Sequence, residues 1–256
     1  MSSLDGAFAY SQARLQARLG TRPSAADWQR IRATRDLASL LQAANASPLL
    51  DATQGLTAQT SVHDAERALR GRWMETVEEI AAWQPARWRE AILWMRWLPY
   101  LPSLDKLARS GRPPDWMRTD ALLGPIVAVD PRLRGAALRR TAIAPLAAGF
   151  GTSPDVGSAW LRHWSSLWPT TDALPALEKL VHDIAALCRE IAVAQPSVTA
   201  EDVLSRLDRR LLRALRRNPL SPVSVVAYLC MAALDLGRLR GAIAVKALRV
   251  AYERAP

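Results

Sequence analysis

The stretch PVSVVAYLCMAALDLGRLRGAIAVKALRVAY, residues 222–252, decides the fold of this chain. Ser221 is a favourable helix N-cap, and Pro222 occupies the first helical position, where proline is well tolerated. Apolar residues then recur at intervals of three and four, at Val226, Leu229, Ala233, Leu236, Ile243 and Ala247. We therefore expect one amphipathic helix of roughly thirty residues, about 45 Å long. A soluble helix of this length is typical of a rigid strut.

The composition favours helix along the whole chain. Of the 256 residues, 50% are apolar, which predicts a folded core. Ala and Leu are abundant, whereas the chain has only 2 Phe and 4 Tyr, so long strands rich in aromatic and β-branched residues are not expected. The sequence predicts an all-α fold in a single helical domain over residues 1–256.

Helix starts are marked by capping sequences. At residues 24–27, 61–64 and 199–202 a hydroxyl side chain precedes a carboxylate by three positions. Helical patterns cover residues 4–19, 25–33, 36–44, 62–83, 86–97, 104–110, 155–167, 174–194 and 200–217. Repeated prolines interrupt the middle, about residues 111–157, and predict short helices joined by turns there.

Neither the cysteines nor the N-terminal residues indicate secretion. Cys188 and Cys230 lie far apart within helical patterns, without the spacing of a disulfide framework or a zinc site. The start of the chain has no signal-peptide pattern, and no uninterrupted apolar run reaches about 18 residues. We expect a cytoplasmic protein that does not span a membrane.

Motifs that carry enzyme chemistry are missing from the sequence. His63, His163 and His182 form no metal-binding pair, and residues 149–154 lack the features of a phosphate-binding loop. No nucleophile elbow occurs, and the paired carboxylates fall at helix starts or on exposed helical faces. The sequence therefore predicts no catalytic residue, no cofactor and no metal site.

The charge balance indicates either an acidic partner or the enrichment in Arg and Ala that GC-rich coding produces. The chain has 34 Lys and Arg against 24 Asp and Glu, a formal net charge of +10. Nucleic acid, anionic lipid and an acidic protein surface all fit this charge. One basic run is formed by Arg206, Arg209, Arg210, Arg213, Arg216 and Arg217. This run is either a helical face that is exposed to solvent or a surface on which an acidic partner docks.

Two further patterns concern helix contacts. Residues 87–97 alternate Arg with Trp, and their spacing favours core tryptophans flanked by arginines over a base-stacking surface. Gly237 and Gly241, with Ala233 and Ala244, form a row of small residues in the last helix. This row predicts close approach of another soluble helix, for which we expect the N-terminal helix.

The chain resembles in three segments, by their order and spacing, the subunit of V-type and archaeal-type rotary ATPases called C in prokaryotes and d in eukaryotes. The first segment is residues 10–19 with Trp28, Ile31, 37–41 and 47–48, the second is residues 65–70 and 100–109, and the third is residues 222–240. Asp235 and Arg238 stand where that family has Glu and Asn. The matching positions in the first and last segments are Tyr10, Arg14, Pro222, Tyr228, Asp235, Arg238 and Arg240. We expect these residues to serve packing or partner contact.

The resemblance implies a funnel-like body of similar helical lobes, with the first and last helices packed together. It also implies a non-catalytic stalk subunit that couples the central rotor shaft to the membrane proteolipid ring during proton or sodium transport. Such a subunit is peripheral on the cytoplasmic face of the membrane. The alternative is a basic, all-helical nucleic-acid-binding protein, suggested by the arginine excess.

Overall fold

The computed structural model describes residues 6–109, 111–151, 153–192 and 200–253; residues 188–192, 200 and 249–253 are described in their backbone alone. Within these ranges the chain contains helices and no strand, which confirms the all-α prediction. It forms two compact units. One combines Met1–Pro85 with Thr170–Pro256, and the other is Ala86–Pro169. The single domain and the funnel of similar lobes stay predictions.

The early helices in the described part of the first unit include α1 (Ala9–Gly20), α2 (Ala25–Ala33), α3 (Leu37–Asn45), α4 (Leu50–Thr53) and α5 (Val62–Ala82). The second unit contains α6 (Ala86–Trp94), α7 (Leu101–Ala108), α8 (Trp116–Thr119), α9 (Gly124–Val127), α10 (Arg134–Leu138) and α11 (Val156–Ser166). It also contains 3₁₀ helices at Met95–Tyr100, Pro131–Leu133 and Ala144–Gly149. The chain then completes the first unit with α12 (Leu174–Ala192), α13 (Ala200–Arg217) and α14 (Pro222–Glu253).

The capping sequences start helices where predicted. Ser24 caps α2 in a reciprocal capping box with Asp27, and the side chain of Ser61 accepts a hydrogen bond from the backbone of Asp64 at the start of α5. The proline-rich middle consists of short helices and 3₁₀ turns, as predicted. The predicted cap at Thr199 and the predicted end of α12 at residue 194 lie outside the described residues.

The last helix changes its environment along its length. From Pro222 to Leu229 every side chain is buried, so this part of α14 is surrounded by protein. Farther along, Leu239 and Ile243 are buried, whereas Val245 and Leu248 are 64% and 61% exposed. By length and composition, Pro222–Leu248 could cross a membrane, with a mean hydropathy of 1.4, but 61% of that window is buried within the protein. Core helices of soluble proteins pass the same test.

The core of the first unit joins its early helices to the second half of α14. It is formed by Trp28, Ile31, Leu37, Leu40, Leu41, Ala44, Leu49, Ala65, Leu69, Leu239 and Ile243. Each of these side chains is at least nine-tenths buried. Because burial of apolar area is the main favourable term in folding, this cluster fixes α14 against α2, α3 and α5.

The opening helix packs against the start of the last helix, as predicted. The side-chain oxygen of Gln12 in α1 accepts hydrogen bonds from the hydroxyl of Ser224 at 3.0 Å and the backbone N–H of Leu220 at 3.3 Å. Leu220 has a φ of 55°, a left-handed conformation that costs a non-glycine residue about 1 to 2 kcal/mol. The hydrogen bonds that Gln12 accepts from Leu220 and Ser224 therefore help to stabilise the turn that starts α14.

The second unit has its own buried polar contacts. The indole Nε1 of Trp164 donates to the backbone oxygen of Ala91 at 2.8 Å, which ties α11 to α6. Arg134 is 3% exposed and donates to the backbone oxygen of Leu107 at 3.1 Å. The tryptophans of the Arg/Trp segment, Trp88, Trp94 and Trp97, are 1%, 7% and 7% exposed. Their prediction as core residues is confirmed.

Candidate functional site

Arg22, in the loop after α1, is the centre of a charged cluster in the first unit. Its Nε donates to Oδ2 of Asp235 in α14 at 2.8 Å, and its Nη2 donates to Oδ1 of Asp208 in α13, also at 2.8 Å. Its Nη1 lies 3.2 Å from the sulfur of Met231. One guanidinium therefore connects the beginning of the chain to its last two helices.

The cluster shifts the pKa values of Asp235 and Arg22. Burial raises the pKa of Asp235 above its usual value, although the hydrogen bond and charge of Arg22 act in the opposite direction. Burial opposes the charge of Arg22, but hydrogen bonds and charges from Asp235 and Asp208 outweigh it and raise the pKa of Arg22. Arg22 therefore stays protonated, and its positive charge stabilises the ionised form of the buried Asp235 carboxyl.

Arg238 extends the cluster one turn along α14. Its guanidinium lies 3.9 Å from Asp235 and 3.5 Å from Glu201 of α13, and its side chain is 13% exposed. The same guanidinium lies 5.9 Å from the ring centroid of Trp28, within cation–π range. Arg238 therefore holds α14 against both α13 and α2.

Tyr228 lies two turns before Asp235 and is 6% exposed. Burial raises the pKa of its hydroxyl, and the nearby charges of Arg18 and Arg22 lower it by a smaller amount. A cavity of about 220 Å³ lies here, and its lining includes Arg18, Arg22, Tyr228 and Asp235. The arrangement is suited to charge pairing and helix positioning, since its charged groups are matched with one another.

The other family-motif positions do not join this cluster. Tyr10 is 60% exposed. The guanidinium of Arg14 lies 4.9 Å from the ring centroid of Trp83, so it covers an aromatic residue of the same unit. Pro222 begins α14, and the exposed Arg240 lies 3.5 Å from Glu66 of α5. Of the positions that the sequence singled out, Asp235 and Arg238 lie in this cluster. Arg22 and Asp208 stand in no recognisable motif, and the sequence did not single them out.

The predicted partner of the small-residue row is wrong. A Cβ atom added at Gly237 or Gly241 would meet no atom within 4 Å, so no helix in the described part of the chain packs closely on these two glycines. The opening helix contacts α14 at Ser224 instead. Thirteen residues along a helix amount to roughly 20 Å and a rotation of about 140°, which carries Gly237 to another side of α14.

The remaining predicted features occupy the surface or the core. Arg209, Arg210, Arg213, Arg216 and Arg217 are exposed, as expected of a basic face. His63 and His182 are exposed, whereas burial lowers the pKa of His163, whose ring lies 4.3 Å from that of Trp94. Among the described residues, no group of three or more His, Cys, Asp or Glu side chains could hold a metal ion.

No protein-family model, curated protein or solved structure matches this chain. The resemblance to the rotary ATPase subunit therefore rests on the quoted sequence segments.

Proposed function

We propose that this chain is a non-catalytic stalk subunit of a V-type ATPase or ATP synthase. It would couple the central rotor shaft to the proteolipid ring during proton or sodium transport, and it would sit on the cytoplasmic face of the membrane without crossing it. The observation that carries the proposal is the resemblance of three sequence segments in order and spacing, and the bonding of Arg22 to both Asp208 and Asp235 supports it.

A coupling subunit must resist sliding of its helices while it transmits torque. Charge-assisted hydrogen bonds are directional and stronger than neutral ones, so the Arg22 bonds oppose movement of α13 and α14 along each other. The hydrogen bond of Gln12 to Ser224 adds a second fixed point, at the start of α14. Asp235, which keeps the carboxylate that the resemblance implies at this position, therefore supports the proposal as an internal contact between α14 and Arg22.

The test is purification at native abundance. The chain, tagged at its own chromosomal locus, is extracted from membranes with a mild detergent, and the associated proteins are identified by mass spectrometry. We expect shaft and proteolipid-ring subunits in stoichiometric amounts. A deletion strain should retain ATP hydrolysis by the released catalytic part but lose ATP-driven cation uptake into inverted vesicles. Purification without rotary ATPase subunits, with unchanged cation uptake, would refute the proposal.

The second candidate function is nucleic-acid binding, and the exposed arginines of α13 favour it. The tryptophans of residues 87–97 do not support it, because Trp88, Trp94 and Trp97 are buried and cannot stack on bases. If the five arginines contact phosphates, log K for duplex DNA should fall with log salt with a slope of about −4 to −5. A flat salt dependence, or no micromolar binding at low salt, would exclude this candidate.

A further inference from the structure

The arginines of α13 form one compact basic face. At 100° and 1.5 Å per residue, Arg209, Arg210, Arg213, Arg216 and Arg217 lie within an arc of about 120° and along about 12 Å of the helix. From the side next to Arg210 round to the opposite side, α13 is apolar and buried, through Val203, Leu207, Leu211 and Leu215. Among the side chains that the structure describes, no ion pair reaches these five arginines. We call them the arginine face.

An apolar groove lies beside the arginine face. It has a volume of about 380 Å³ and runs between α12 and α13. Its apolar lining includes Leu180, Ile184, Leu187, Leu207, Leu211 and Ala214. The charged groups on its rim are Arg210, Arg213, Arg217, Lys179 and Asp183. Asp183 is paired with Lys179 at 3.4 Å, so the unpaired charge around the groove is positive.

We propose that the groove and the arginine face together bind an acidic amphipathic helix of a partner protein. In this mode of recognition, apolar side chains spaced by three and four residues enter the groove. Carboxylates flanking them then meet the arginines, whose planar guanidinium groups bind carboxylates in a bidentate manner.

Other anionic partners use only part of this surface. Nucleic acid and a membrane surface would pair with the arginines but would leave the apolar groove empty. A single anionic lipid could place an acyl chain in the groove, but its headgroup is too small to meet five guanidinium groups spread over about 12 Å. An acidic amphipathic helix matches both features. The inference uses only this surface and does not depend on the proposed stalk function.

The probe is a fluorescein-labelled 18-residue peptide of Leu and Glu, with Leu at three-and-four spacing. The comparison peptide has the same composition with Leu and Glu alternating, so that it cannot present an apolar helical face. Binding to the full chain is followed by fluorescence anisotropy at low and moderate salt. We expect the amphipathic peptide to bind at least tenfold more tightly than the alternating one, and to weaken as salt rises.

Variants test the two features separately. Combining Arg210→Gln, Arg213→Gln and Arg217→Gln should weaken peptide binding about tenfold, since each exposed ion pair is worth a fraction of a kcal/mol. Ile184→Ser should weaken it by removing an apolar wall of the groove. The matched control combines Arg87→Gln, Arg89→Gln and Arg139→Gln, which removes the same charge from exposed positions of the second unit. It should leave binding within twofold, and circular dichroism checks that every variant is folded.

Three results would overturn the inference. The two peptides could bind equally, or the control variant could weaken binding as much as the arginine-face variant, which would indicate unspecific attraction to net charge. A 20-base-pair DNA duplex, or vesicles with 30% phosphatidylserine, could bind more tightly than the peptide and depend on the same three arginines. That result would assign the face to nucleic acid or to a membrane surface instead.

Discussion

Arg22 and Asp235 are 213 positions apart in the sequence, yet their side chains hydrogen-bond at 2.8 Å. Arg22 lies near the beginning of the chain, between helices α1 and α2. Asp235 lies within α14, the long helix near the end of the chain. The side chains are only 16% and 9% exposed, so this pair is shielded from solvent. Loss of one partner would leave a carboxylate in surroundings that disfavour its charge.

We expect Arg22→Met to lower the free energy of unfolding by about 3 kcal/mol, because removal of Arg22 deprives the buried carboxylate of Asp235 of its hydrogen-bonded partner. Urea unfolding followed by circular dichroism at 222 nm measures the change. The control is Arg32→Met, since Arg32 is 54% exposed and pairs with Glu201 at 3.7 Å. The control should cost less than about 1 kcal/mol. Equal costs for the two variants would contradict the internal role of Arg22.

The pH dependence of stability should reveal Asp155, the N-cap of α11. Hydrogen bonds from the side chain and backbone of Ser158 lower the pKa of Asp155 below its usual 3.8. The unfolded chain therefore binds this proton more readily, so stability present at neutral pH is lost as the pH falls below about 4. Asp155→Asn keeps a good N-cap without a titrating group. The parent protein gains stability as Asp155 ionises, and the Asn variant does not. The free energy of unfolding of the variant, minus that of the parent protein, should therefore decrease as the pH rises from 3 to 6, as measured by urea unfolding.

Asp235 should show the opposite dependence. Burial raises the pKa of Asp235 above 3.8, so the folded protein binds this proton more readily than the unfolded chain does. The contribution of this carboxyl to stability therefore falls as the pH rises from about 4 through its folded pKa. Asp235→Asn lacks this titrating carboxyl. The free energy of unfolding of the variant, minus that of the parent protein, should therefore increase as the pH rises from 3 to 6. A decline like that of Asp155→Asn would show that pairing with Arg22 outweighs burial.

The open environment of the small-residue row predicts stabilising substitutions. Gly237→Ala and Gly241→Ala should each raise the free energy of unfolding by about 0.5 to 1 kcal/mol, because alanine favours helix and nothing lies within 4 Å of the new Cβ atom. Gly149→Ala is the contrasting variant. Its Cβ atom would lie 2.7 Å from Cα of Val156, so this change should be destabilising. Destabilisation by Gly237→Ala would instead indicate a close contact on that side of α14.

Local patterns in the sequence predicted the local structure. The Ser24 capping box, the short helices among the prolines and the burial of Trp88 each depend on neighbours within a few residues. Such signals are readable without knowledge of the fold. The extent of α14 was predicted for the same reason, since its apolar spacing continues over the whole helix.

Long-range pairing could not be predicted in this way. Arg22 stands between Thr21 and Pro23 in a loop without periodicity, and its partners lie 186 and 213 positions away. The small residues at Gly237 and Gly241 would allow another helix to approach closely. Their spacing does not show whether a helix packs on them, or which helix it is. The tertiary structure placed the opening helix at Ser224 and left the glycines uncovered.

The discontinuity of the first unit has a consequence for synthesis on the ribosome. The stretch Ala86–Pro169 is contiguous, so its internal contacts are available once residue 169 has emerged, whereas helices α1 to α5 lack their contacts with α13 and α14 until the end of synthesis. At typical translation rates, Asp208 and Asp235 leave the ribosome roughly ten to forty seconds after Arg22. During that interval the nascent chain exposes the apolar surface that α14 later covers. Chains truncated before residue 222 should therefore be much more prone to aggregation than the full-length protein.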